Sequence, residues 1–450
     1  MKNGVTNNQM SSEQSVTKRV TKQNSTENQC TEQALTAQGF TLDDQRFMAQ
    51  AIELAKKGHF TTSPNPRVGC VLVSYQNGVG KVIGEGYHHK AGHGHAEVNA
   101  LADAHTNYPK LIAGATAYVT LEPCSHFGRT PPCAKALVDA NIGHVIAAMV
   151  DPNPHVSGSG LSLLEKAGIT VQSGLLEHSA QALNVGFIHQ MVHKRPYVRC
   201  KLAASLDGKT AMASGESKWI TSTQARQDVQ RLRAQSCAII TGADSVIFDN
   251  AKMTVRWSEL GELKSTYPEE TLRQPLRVVI DSRNRLTPEL ALFSHQSPVL
   301  IINGIDDEGV ENKVAPTLEK PSKWPHFVKH VQLPLMSVSP HSNSQSNAQS
   351  GNQSKLKIDL KALLAYLTTL GINDILIESG AQLSGAFIEQ DLVNELILYQ
   401  APKLMGSDGK SLVAMPSILK LNQAKALTIS DISMIGADIR ITSQFIVNNS

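Results

Sequence analysis

A histidine, a glutamate and two cysteines in the first third of the chain have the residue types and spacing for metal-dependent chemistry. His95-Ala96-Glu97 is followed by Pro123-Cys124 and then by Cys133. One imidazole and two thiolates suit a tetrahedral Zn²⁺ and leave its fourth position open, which is typical of a catalytic site. A water at that position has a pKa of about 7, and Glu97 can take and return its proton without being a ligand.

Any one of these residues alone is more often a core or capping residue than a ligand. Together they favour a metal site, because His-x-Glu followed by Pro-Cys and a second cysteine is typical of zinc nucleobase deaminases. Eight residues separate Cys124 from Cys133 here, whereas that pattern has two. The ligands also stand where helices are predicted to begin, after Gly94 and around Pro131-Pro132-Cys133, and a helix amino terminus favours charged thiolates.

Composition limits the possible partners. The 450 residues predict two to three domains, at roughly 150 residues each. A net charge of +3 gives no strong field for nucleic acid, so the expected partners are small molecules. No apolar run is long enough to span a membrane and the polar start lacks a signal-peptide core, which predicts a soluble cytoplasmic protein. Six cysteines in so long a chain do not indicate a disulfide framework.

Hydrophobic periodicity predicts two successive α/β domains. Residues 1–40 are polar and are predicted to be a disordered tail, followed by a deaminase-type zinc domain over 41–194 and a second domain over 195–450. A Ser/Asn/Gln-rich stretch at about 337–355 is predicted to be a mobile surface insertion in the second domain. The predicted strands of the two domains are 68–74, 82–87, 115–120, 145–150, 197–203, 237–241, 276–280, 299–302, 374–378 and 395–400.

The second domain contains a weaker signal for nucleotide binding. Polar loops follow predicted strands at 201–209, 242–257 and 378–386, and the last of these runs from a strand through glycine into a helix. Free backbone N–H groups at such a helix start can bind phosphate. The Gly-x-Gly-x-x-Gly fingerprint is absent, so a glycine-capped connection with no ligand remains an alternative.

Three segments give the chain a specific resemblance: the run from Pro123 to Cys133, His95-Ala96-Glu97-Val98, and the run from Pro64 to Gly69. Together they resemble the bifunctional riboflavin biosynthesis proteins, which fuse a pyrimidine deaminase to a reductase. The resemblance covers about residues 42–440. It implies an α/β fold, in which an N-terminal cytidine-deaminase-like α/β/α domain is fused to a C-terminal dihydrofolate-reductase-like α/β domain.

The family resemblance also implies two reactions. The first is zinc-dependent hydrolytic deamination of 2,5-diamino-6-(5-phosphoribosylamino)pyrimidin-4(3H)-one. The second is NADPH-dependent reduction of 5-amino-6-(5-phosphoribosylamino)uracil to the ribitylamino phosphate. The implied cofactors are therefore Zn²⁺ and NADPH, and a homo-oligomer formed through the reductase domain is expected.

For the deaminase, His95, Cys124 and Cys133 are the expected metal ligands and Glu97 the catalytic proton carrier. The residues expected to contact the deaminase substrate are Asn65, His88, His126 and Arg129. Asn65 lies between two prolines, so a turn-forming role is an alternative for it.

For the reductase, the resemblance implies two groups of binding residues. The expected NADPH contacts are Ala203, Trp219, Ser245, Asp249, Ser282, Gly380, Ala381, Gln382, Leu383, Ser384, Gly385 and Ala386. The expected substrate contacts are Ser217, Arg233, Met253, Arg256 and Glu378. The two arginines suit a ribose phosphate, although a surface ion pair is the alternative for each.

In one loop the chain departs from the family pattern. Where the family usually has Asp-Asp-Pro, this chain has Asp249-Asn250-Ala251, so one charge and one rigid residue are missing. The rigidity of the loop is therefore an open question at the sequence level.

Two other functions remain to be tested. A tRNA or nucleobase deaminase with an unrelated appended domain would need a basic or aromatic nucleic-acid surface, and aromatic residues make up only 5% of the chain. A structural zinc module of an interaction protein would need a fourth protein ligand, for which Cys70 and His126 are the nearby candidates.

Overall fold

The computed structural model describes residues 39–126, 131–154, 156–305, 323–338 and 355–446. They form two compact units, the first including 67–88 and 92–183, and the second including 57–66, 89–91 and the chain from 184 onward. The predicted tail lies outside the described residues except for Gly39 and Phe40, and Phe40 is buried. None of the described helices is both long and apolar enough to cross a membrane.

The first unit is built on one mixed sheet. Its strands are β1 (Gly69–Gln76), β2 (Val79–Tyr87), β3 (Thr116–Val119), β4 (His144–Ala147) and β5 (Thr170–Ser173). Its helices are α1 (Leu42–Lys56), α2 (Ala96–Asn107), α3 (Cys133–Asp139), α4 (Ser159–Lys166) and α5 (Glu177–Leu183). The sheet order is β2-β1-β3-β4-β5, in which β1 is antiparallel to both neighbours and β3, β4 and β5 are parallel.

Helices cover both faces of this sheet. Cys70 and Leu72 of β1 share a core with buried residues of α2, α3 and α4. Gly69 points to the other face, where a Cβ atom would lie 2.0 Å from the Ala51 carbonyl oxygen of α1. Since neighbouring strand residues point to opposite faces, the unit has three layers, as the sequence predicts.

The second unit is a larger, mostly parallel sheet. Its helices are α6 (Val185–His193), α7 (Thr223–Gln235), α8 (Ala243–Asp249), α9 (Leu360–Thr369) and α10 (Ala381–Glu389). Its strands are β6 (Tyr197–Ser205), β7 (Lys209–Ala211), β8 (Ala238–Gly242), β9 (Leu276–Ile280), β10 (Val299–Gly304), β11 (Val328–Leu333), β12 (Leu335–Val338), β13 (Lys355–Ile358), β14 (Asp374–Ile377), β15 (Glu395–Ala401), β16 (Lys410–Ser411), β17 (Leu427–Ile435) and β18 (Asp438–Phe445).

Nine of these strands form the main sheet, in the order β11-β10-β9-β8-β14-β6-β15-β18-β17. In this order, the first seven strands, from β11 through β10, β9, β8, β14 and β6 to β15, pair in parallel. The last two, β18 and β17, are antiparallel strands at one edge of the sheet. The two ends of the predicted insertion are strands, because β12 pairs with β13. The insertion residues 339–354 lie outside the described part.

Segment 57–66 packs with the second unit although it precedes β1 in the chain. The Phe60 ring meets the Tyr267 ring edge-on, with centroids 4.8 Å apart, and the Tyr267 hydroxyl donates to the Lys57 carbonyl at 3.1 Å. The Asn373 amide donates to the Pro64 carbonyl at 2.7 Å. Segment 57–66 therefore belongs to the second unit, although it lies before the domain boundary predicted at residue 194.

We expect His189 to make the second unit less stable in mild acid. Burial, followed by the neighbouring His193 and Arg195, lowers the pKa of His189 to about 4, below the usual value of about 6.5. Between pH 4 and pH 6.5 the unfolded chain therefore binds more protons than the folded chain. The contribution of His189 to the free energy of unfolding is full above pH 6.5 and is lost as the pH falls toward 4.

Urea unfolding at pH 7 and pH 5 tests this expectation. All three tryptophans, Trp219, Trp257 and Trp324, belong to the second unit, so their fluorescence reports on it. His189→Phe should lose less stability than the wild type between the two pH values. The exposed His326 offers a matched control, and His326→Phe should keep the wild-type dependence. Equal pH dependence in His189→Phe and the wild type would contradict the assignment.

Candidate functional site

Close packing of α2 on β2 positions His95 and Glu97. A Cβ atom at Gly84 or Gly86 of β2 would lie 2.3 Å from backbone atoms of Ala100, so only glycine permits this approach. His95 is the N-cap residue of α2, with extended backbone angles, and Glu97 lies in the first turn. The sheet therefore holds both functional side chains at the amino terminus of one helix.

The two cysteines reach the same point from a loop, which carries Cys124, and from a second helix start, which carries Cys133. Cys133 is the first residue of α3, and its backbone N–H donates to the Cys124 sulfur at 3.3 Å. The His95 Nδ1 atom lies 3.2 Å from the Cys133 sulfur and 3.6 Å from the Cys124 sulfur. All three ligand atoms lie within 4.8 Å of one another. Among the residues that the structure describes, no fourth His, Cys, Asp or Glu belongs to this cluster.

This donor set fits Zn²⁺. Zinc bonds of about 2.0–2.1 Å to nitrogen and 2.3 Å to sulfur at a tetrahedral angle separate such atoms by about 3.6 Å, close to the two His95 distances. Three protein ligands leave room for a fourth, exchangeable one. The described cluster therefore has the composition of a catalytic zinc site rather than the four protein ligands of a structural one.

The surroundings shift the proton affinities of these groups. A hydrogen bond with the Cys133 thiol, assisted by His95, lowers the pKa of Cys124. The hydrogen bond to Cys124 raises the pKa of His95. Glu97 is only 3% exposed, and burial raises its pKa to about 7. A carboxyl group with that pKa exchanges protons readily near neutral pH.

We expect Cys133→Ser to reduce zinc binding strongly. In this variant a neutral hydroxyl replaces a thiolate ligand. Loss of a residue that only hydrogen-bonds to a ligand already lowers metal affinity about 10–100-fold, so loss of a ligand should lower zinc affinity by about 100-fold or more. Metal analysis should find about one zinc per wild-type chain. Cys70→Ala is a matched control, because Cys70 is fully buried but lies outside the cluster, and it should retain zinc. Zinc retention by Cys133→Ser would contradict the ligand assignment.

Glu122 supports the Cys124 segment and was not predicted. Its buried carboxylate accepts backbone N–H bonds from Asp151 at 2.9 Å, Gly158 at 2.9 Å and Gly160 at 2.7 Å. A Cβ atom at Gly160 would lie 1.9 Å from the Pro123 carbonyl oxygen, so this loop packs directly beside the residue before the ligand. Glu122 directly precedes Pro123-Cys124, but the sequence gives no signal for the backbone groups that its carboxylate binds.

The structure describes three of the four residues predicted to contact the deaminase substrate. The His88 Nδ1 atom lies 3.1 Å from the Gly94 carbonyl oxygen, and the His88 ring meets that of His95 edge-on at 5.4 Å. His126 is exposed. Arg129 lies outside the described residues, and Asn65 belongs to the segment that packs with the second unit. The structure therefore brings His88 to the metal ligands.

In the second unit, the predicted cofactor residues follow neighbouring parallel strands. Ala203 lies on β6, Ser245 and Asp249 lie on α8 directly after β8, and Ser282 follows β9. Gly380 caps α10 just after β14, and the remaining predicted residues, 381–386, form its first turns. Since β6, β14, β8 and β9 are adjacent and parallel, these positions share the carboxyl edge of the sheet, where ligands bind in open α/β sheets.

Arg233 and Glu378, predicted to contact substrate, form a buried ion pair. The Arg233 Nε and Nη2 atoms donate to the two Glu378 carboxylate oxygens at 2.5 and 2.9 Å, and each side chain is 12% exposed. Arg233 Nη1 also donates to the Thr254 carbonyl at 2.9 Å. Burial lowers the pKa of the adjacent Lys201, whose charge interacts favourably with Glu378. The Arg233 guanidinium is thus already bound by protein atoms.

The remaining predicted reductase residues are more exposed, except for Met253. Arg256 makes two hydrogen bonds to Glu259, at 2.6 and 2.8 Å, and both side chains are partly exposed. Trp219 is 63% exposed, with the Arg226 guanidinium 4.5 Å from its ring centroid. Asp249 lies 3.3 Å from the Lys218 ammonium. Ser217 is half-buried, and Met253 is buried with a positive φ of 58°.

Comparison with known proteins assigns both units. The family model described as "Cytidine and deoxycytidylate deaminase zinc-binding region" matches residues 41–149, and the one described as "RibD C-terminal domain" matches residues 196–439. The riboflavin biosynthesis protein RibD of Escherichia coli is 46% identical over 88% of this chain and 98% of its own length. The Haemophilus influenzae protein of the same name is 43% identical over 90% and 98%.

Solved structures support the same assignment. Acinetobacter baumannii RibD has 40% identity and a TM-score of 0.74, and the alignment covers 90% of this chain and 99% of that one. A deaminase/reductase from Thermotoga maritima has 28% identity and a TM-score of 0.70 over the same shares. The predicted fold class, enzyme class and cofactors, Zn²⁺ and NADPH, are confirmed, and the alternative functions are not favoured. The chain therefore belongs to the bifunctional riboflavin biosynthesis proteins, which join a zinc-dependent deaminase to an NADPH-dependent reductase.

Proposed function

We propose that this chain catalyses two successive steps with the residues predicted from its sequence. A deaminase domain over 41–194 removes the 2-amino group of 2,5-diamino-6-(5-phosphoribosylamino)pyrimidin-4(3H)-one as ammonia. A reductase domain from 195 onward converts 5-amino-6-(5-phosphoribosylamino)uracil to the ribitylamino phosphate. The observation that carries the proposal is the cluster of His95, Cys124 and Cys133 with buried Glu97 two residues beyond the histidine.

In the deaminase, His95, Cys124 and Cys133 would hold zinc, which when bound acidifies water and supplies a nucleophile at neutral pH. Glu97 takes one proton from the attacking water and gives it to the ring nitrogen. It then carries a second proton, from the added hydroxyl group, to the amine, which leaves as ammonia. Its burial supports this role, because the raised pKa allows both transfers near neutral pH. His88, His126, Asn65 and Arg129 would bind polar groups of the base and the phosphate.

In the reductase, NADPH when bound supplies a hydride to C1′ of the opened ribosyl group. Ala203, Trp219, Ser245, Asp249, Ser282 and residues 380–386 would bind the dinucleotide. The common sheet edge of all of these except Trp219 supports the assignment. Ser217, Arg233, Met253, Arg256 and Glu378 would line the substrate side. Both arginines pair with a glutamate, but Arg256 is 42% exposed and Arg233 only 12%, so Arg256 is the more available of the two for phosphate.

Mass spectrometry of the products tests both reactions. Purified protein is given the diaminopyrimidine phosphate without NADPH and then with it. The first incubation should exchange one amino group for oxygen with release of ammonia, and the second should add two hydrogen atoms to that product. Unchanged substrate in the first incubation would contradict the deaminase assignment, and an unreduced uracil in the second would contradict the reductase assignment.

We also propose that the protein is cytoplasmic and forms a homo-oligomer through the reductase unit. The five described cysteines are free, which supports a reducing compartment. Edge strand β17 exposes Ile429, Ile432 and Met434 by 55%, 62% and 66%, an unusually apolar edge for a solvated surface. Sedimentation velocity should show an oligomer that Ile432→Lys dissociates, and a monomeric wild type would contradict the proposal.

A further inference from the structure

The loop over 250–256 is held by side chains rather than by a sheet. It follows α8 and contains Met253 and Arg256, two of the residues that the proposed function places on the substrate side. Among the described strands, none pairs with it. Residues 253–255 of the loop are buried, so their backbone groups need other hydrogen-bond partners, and several of these come from residues distant in the sequence.

Two glutamines bind the end of the loop. Gln274 uses both ends of its amide on Val255: its Oε1 atom accepts from the backbone N–H at 2.8 Å, and its Nε2 atom donates to the carbonyl at 2.9 Å. Gln230, which is 1% exposed, accepts the Arg256 backbone N–H at 3.1 Å. These bonds replace the ladder that a neighbouring strand would supply, and they fix the backbone from which the Arg256 side chain extends.

Arg277 binds the middle of the loop. It is fully buried on β9, and its guanidinium donates to the carbonyl oxygens of Lys252 at 3.0 Å, His295 at 3.0 Å and Ser297 at 2.6 Å, and also to that of Leu292. No carboxylate is among these partners, so the buried charge is stabilised by carbonyl dipoles. A buried guanidinium is costly unless it is hydrogen-bonded, so these bonds favour one position of the Lys252 carbonyl, although the Arg277 Nε atom has no partner among the described residues.

The start of the loop shows why this chain can dispense with the proline of the usual family pattern. Asn250 adopts the left-handed conformation, with φ of 47°, and its side chain accepts the Ala291 backbone N–H at 2.8 Å. The Ala251 N–H donates to the Val246 carbonyl at 3.3 Å, a bond that proline could not make. Met253 also has a positive φ, which persists only where neighbouring contacts enforce it.

We propose that Gln274 and Arg277 are positioning residues of the reductase, which hold residues 252–256 in the substrate-binding conformation before the substrate arrives. They supply the rigidity that the sequence Asp249-Asn250-Ala251 lacks. The proposal rests on the proposed function, because that function places Met253 and Arg256 beside the substrate. Gln274 offers the cleaner test, since the fully buried Arg277 is also needed to hold the 292–297 turn.

The test compares Gln274→Met with Gln190→Met in the full-length chain. Methionine keeps the length of glutamine but loses both amide bonds. Gln190 is a matched control, because it is a buried glutamine of the same unit that donates to a backbone carbonyl elsewhere, that of Thr368 at 3.5 Å. Gln274→Glu, which keeps the acceptor for the Val255 N–H, should have intermediate properties.

The first measurement is limited trypsin digestion, because Lys252 and Arg256 place two cleavage sites within the loop. Cleavage at these bonds, followed by mass spectrometry, should be slow in the wild type and Gln190→Met and about tenfold or more faster in Gln274→Met, since proteolysis follows local opening. Unchanged cleavage in Gln274→Met would overturn the claim that Gln274 holds the loop.

The second measurement is binding by the holoenzyme. Gln274→Met should weaken binding of 5-amino-6-(5-phosphoribosylamino)uracil by about tenfold or more, because small displacements of binding groups have large effects, while its dissociation constant for NADPH stays within about threefold. Faster cleavage with unchanged uracil binding would overturn the positioning role, as would equal weakening of both ligands. A wild type that resists trypsin but does not bind the uracil would instead refute the proposed function, and with it the positioning role.

Discussion

Glu97→Gln will lower the rate of deamination by about a thousandfold, which lies within the usual range for loss of a general acid–base residue. The amide keeps the shape of the side chain but cannot take a proton from water and return it. Because Glu97 is outside the cluster of metal ligands, zinc content should remain at about one ion per chain. Ammonia release from the diaminopyrimidine phosphate, measured beside metal analysis, tests the expectation.

Two controls separate this effect from misfolding. Asp103→Asn neutralises another carboxylate of α2, one that accepts the Glu85 backbone N–H at 2.9 Å, and it should leave deamination within about threefold of the wild type. NADPH-dependent reduction of the uracil substrate should be unaffected by Glu97→Gln. If Glu97→Gln deaminated at the wild-type rate with its zinc in place, Glu97 would not be the proton carrier.

Arg233→Met should lower the free energy of unfolding of the second unit by about 3–5 kcal/mol, the usual cost of breaking a buried ion pair from one side. The variant leaves the Glu378 carboxylate, 12% exposed, without its two charged hydrogen bonds. Those bonds and the Arg233 charge keep the pKa of Glu378 low despite its burial, so without them the buried carboxylate is left with the weaker attraction of Lys201 and Arg256. Urea unfolding followed by tryptophan fluorescence measures the loss.

A double-variant cycle shows whether the pair itself is responsible. Glu378→Leu alone should also destabilise the unit, because it leaves the arginine without an anion. Arg233→Met combined with Glu378→Leu should recover most of the stability, since replacing both members of a buried pair with apolar residues is often nearly neutral. All three variants should lose reduction. Additive losses in the double variant would show that the two side chains act independently.

The metal cluster could be predicted because its signal is local. His95 and Cys133 each follow a glycine or proline at the start of a helix, Cys124 follows Pro123, and the spacing of His95 and Glu97 places both in one helical turn. The main strands could be predicted for a related reason: continuous apolar runs such as Val299–Ile302 are typical of parallel strands buried on both faces. Strands β17 and β18 were not predicted, because the exposed β17 lacks a buried apolar face.

The supporting residues had no comparable signal. Glu122, Gln230, Gln274 and Arg277 act on backbone groups that lie between 15 and 38 positions away in the chain. A backbone N–H or carbonyl carries no side-chain identity, so the partner of such a bond leaves no motif. The same holds for the ion pair of Arg233 with Glu378, whose members are 145 residues apart.

The amino-acid sequence alone predicted the zinc-binding groups and the proton carrier, because these depend on residue types at short spacings. Its resemblance to a known family indicated the order of the two enzymatic units and the use of NADPH. Only the tertiary structure decided how the groups are held: which carboxylate is buried beside the ligands, which arginine is already bound by a glutamate, and how a loop without its usual proline is kept in place. Those properties depend on burial and on hydrogen bonds between distant segments, and these exist only once the chain has folded.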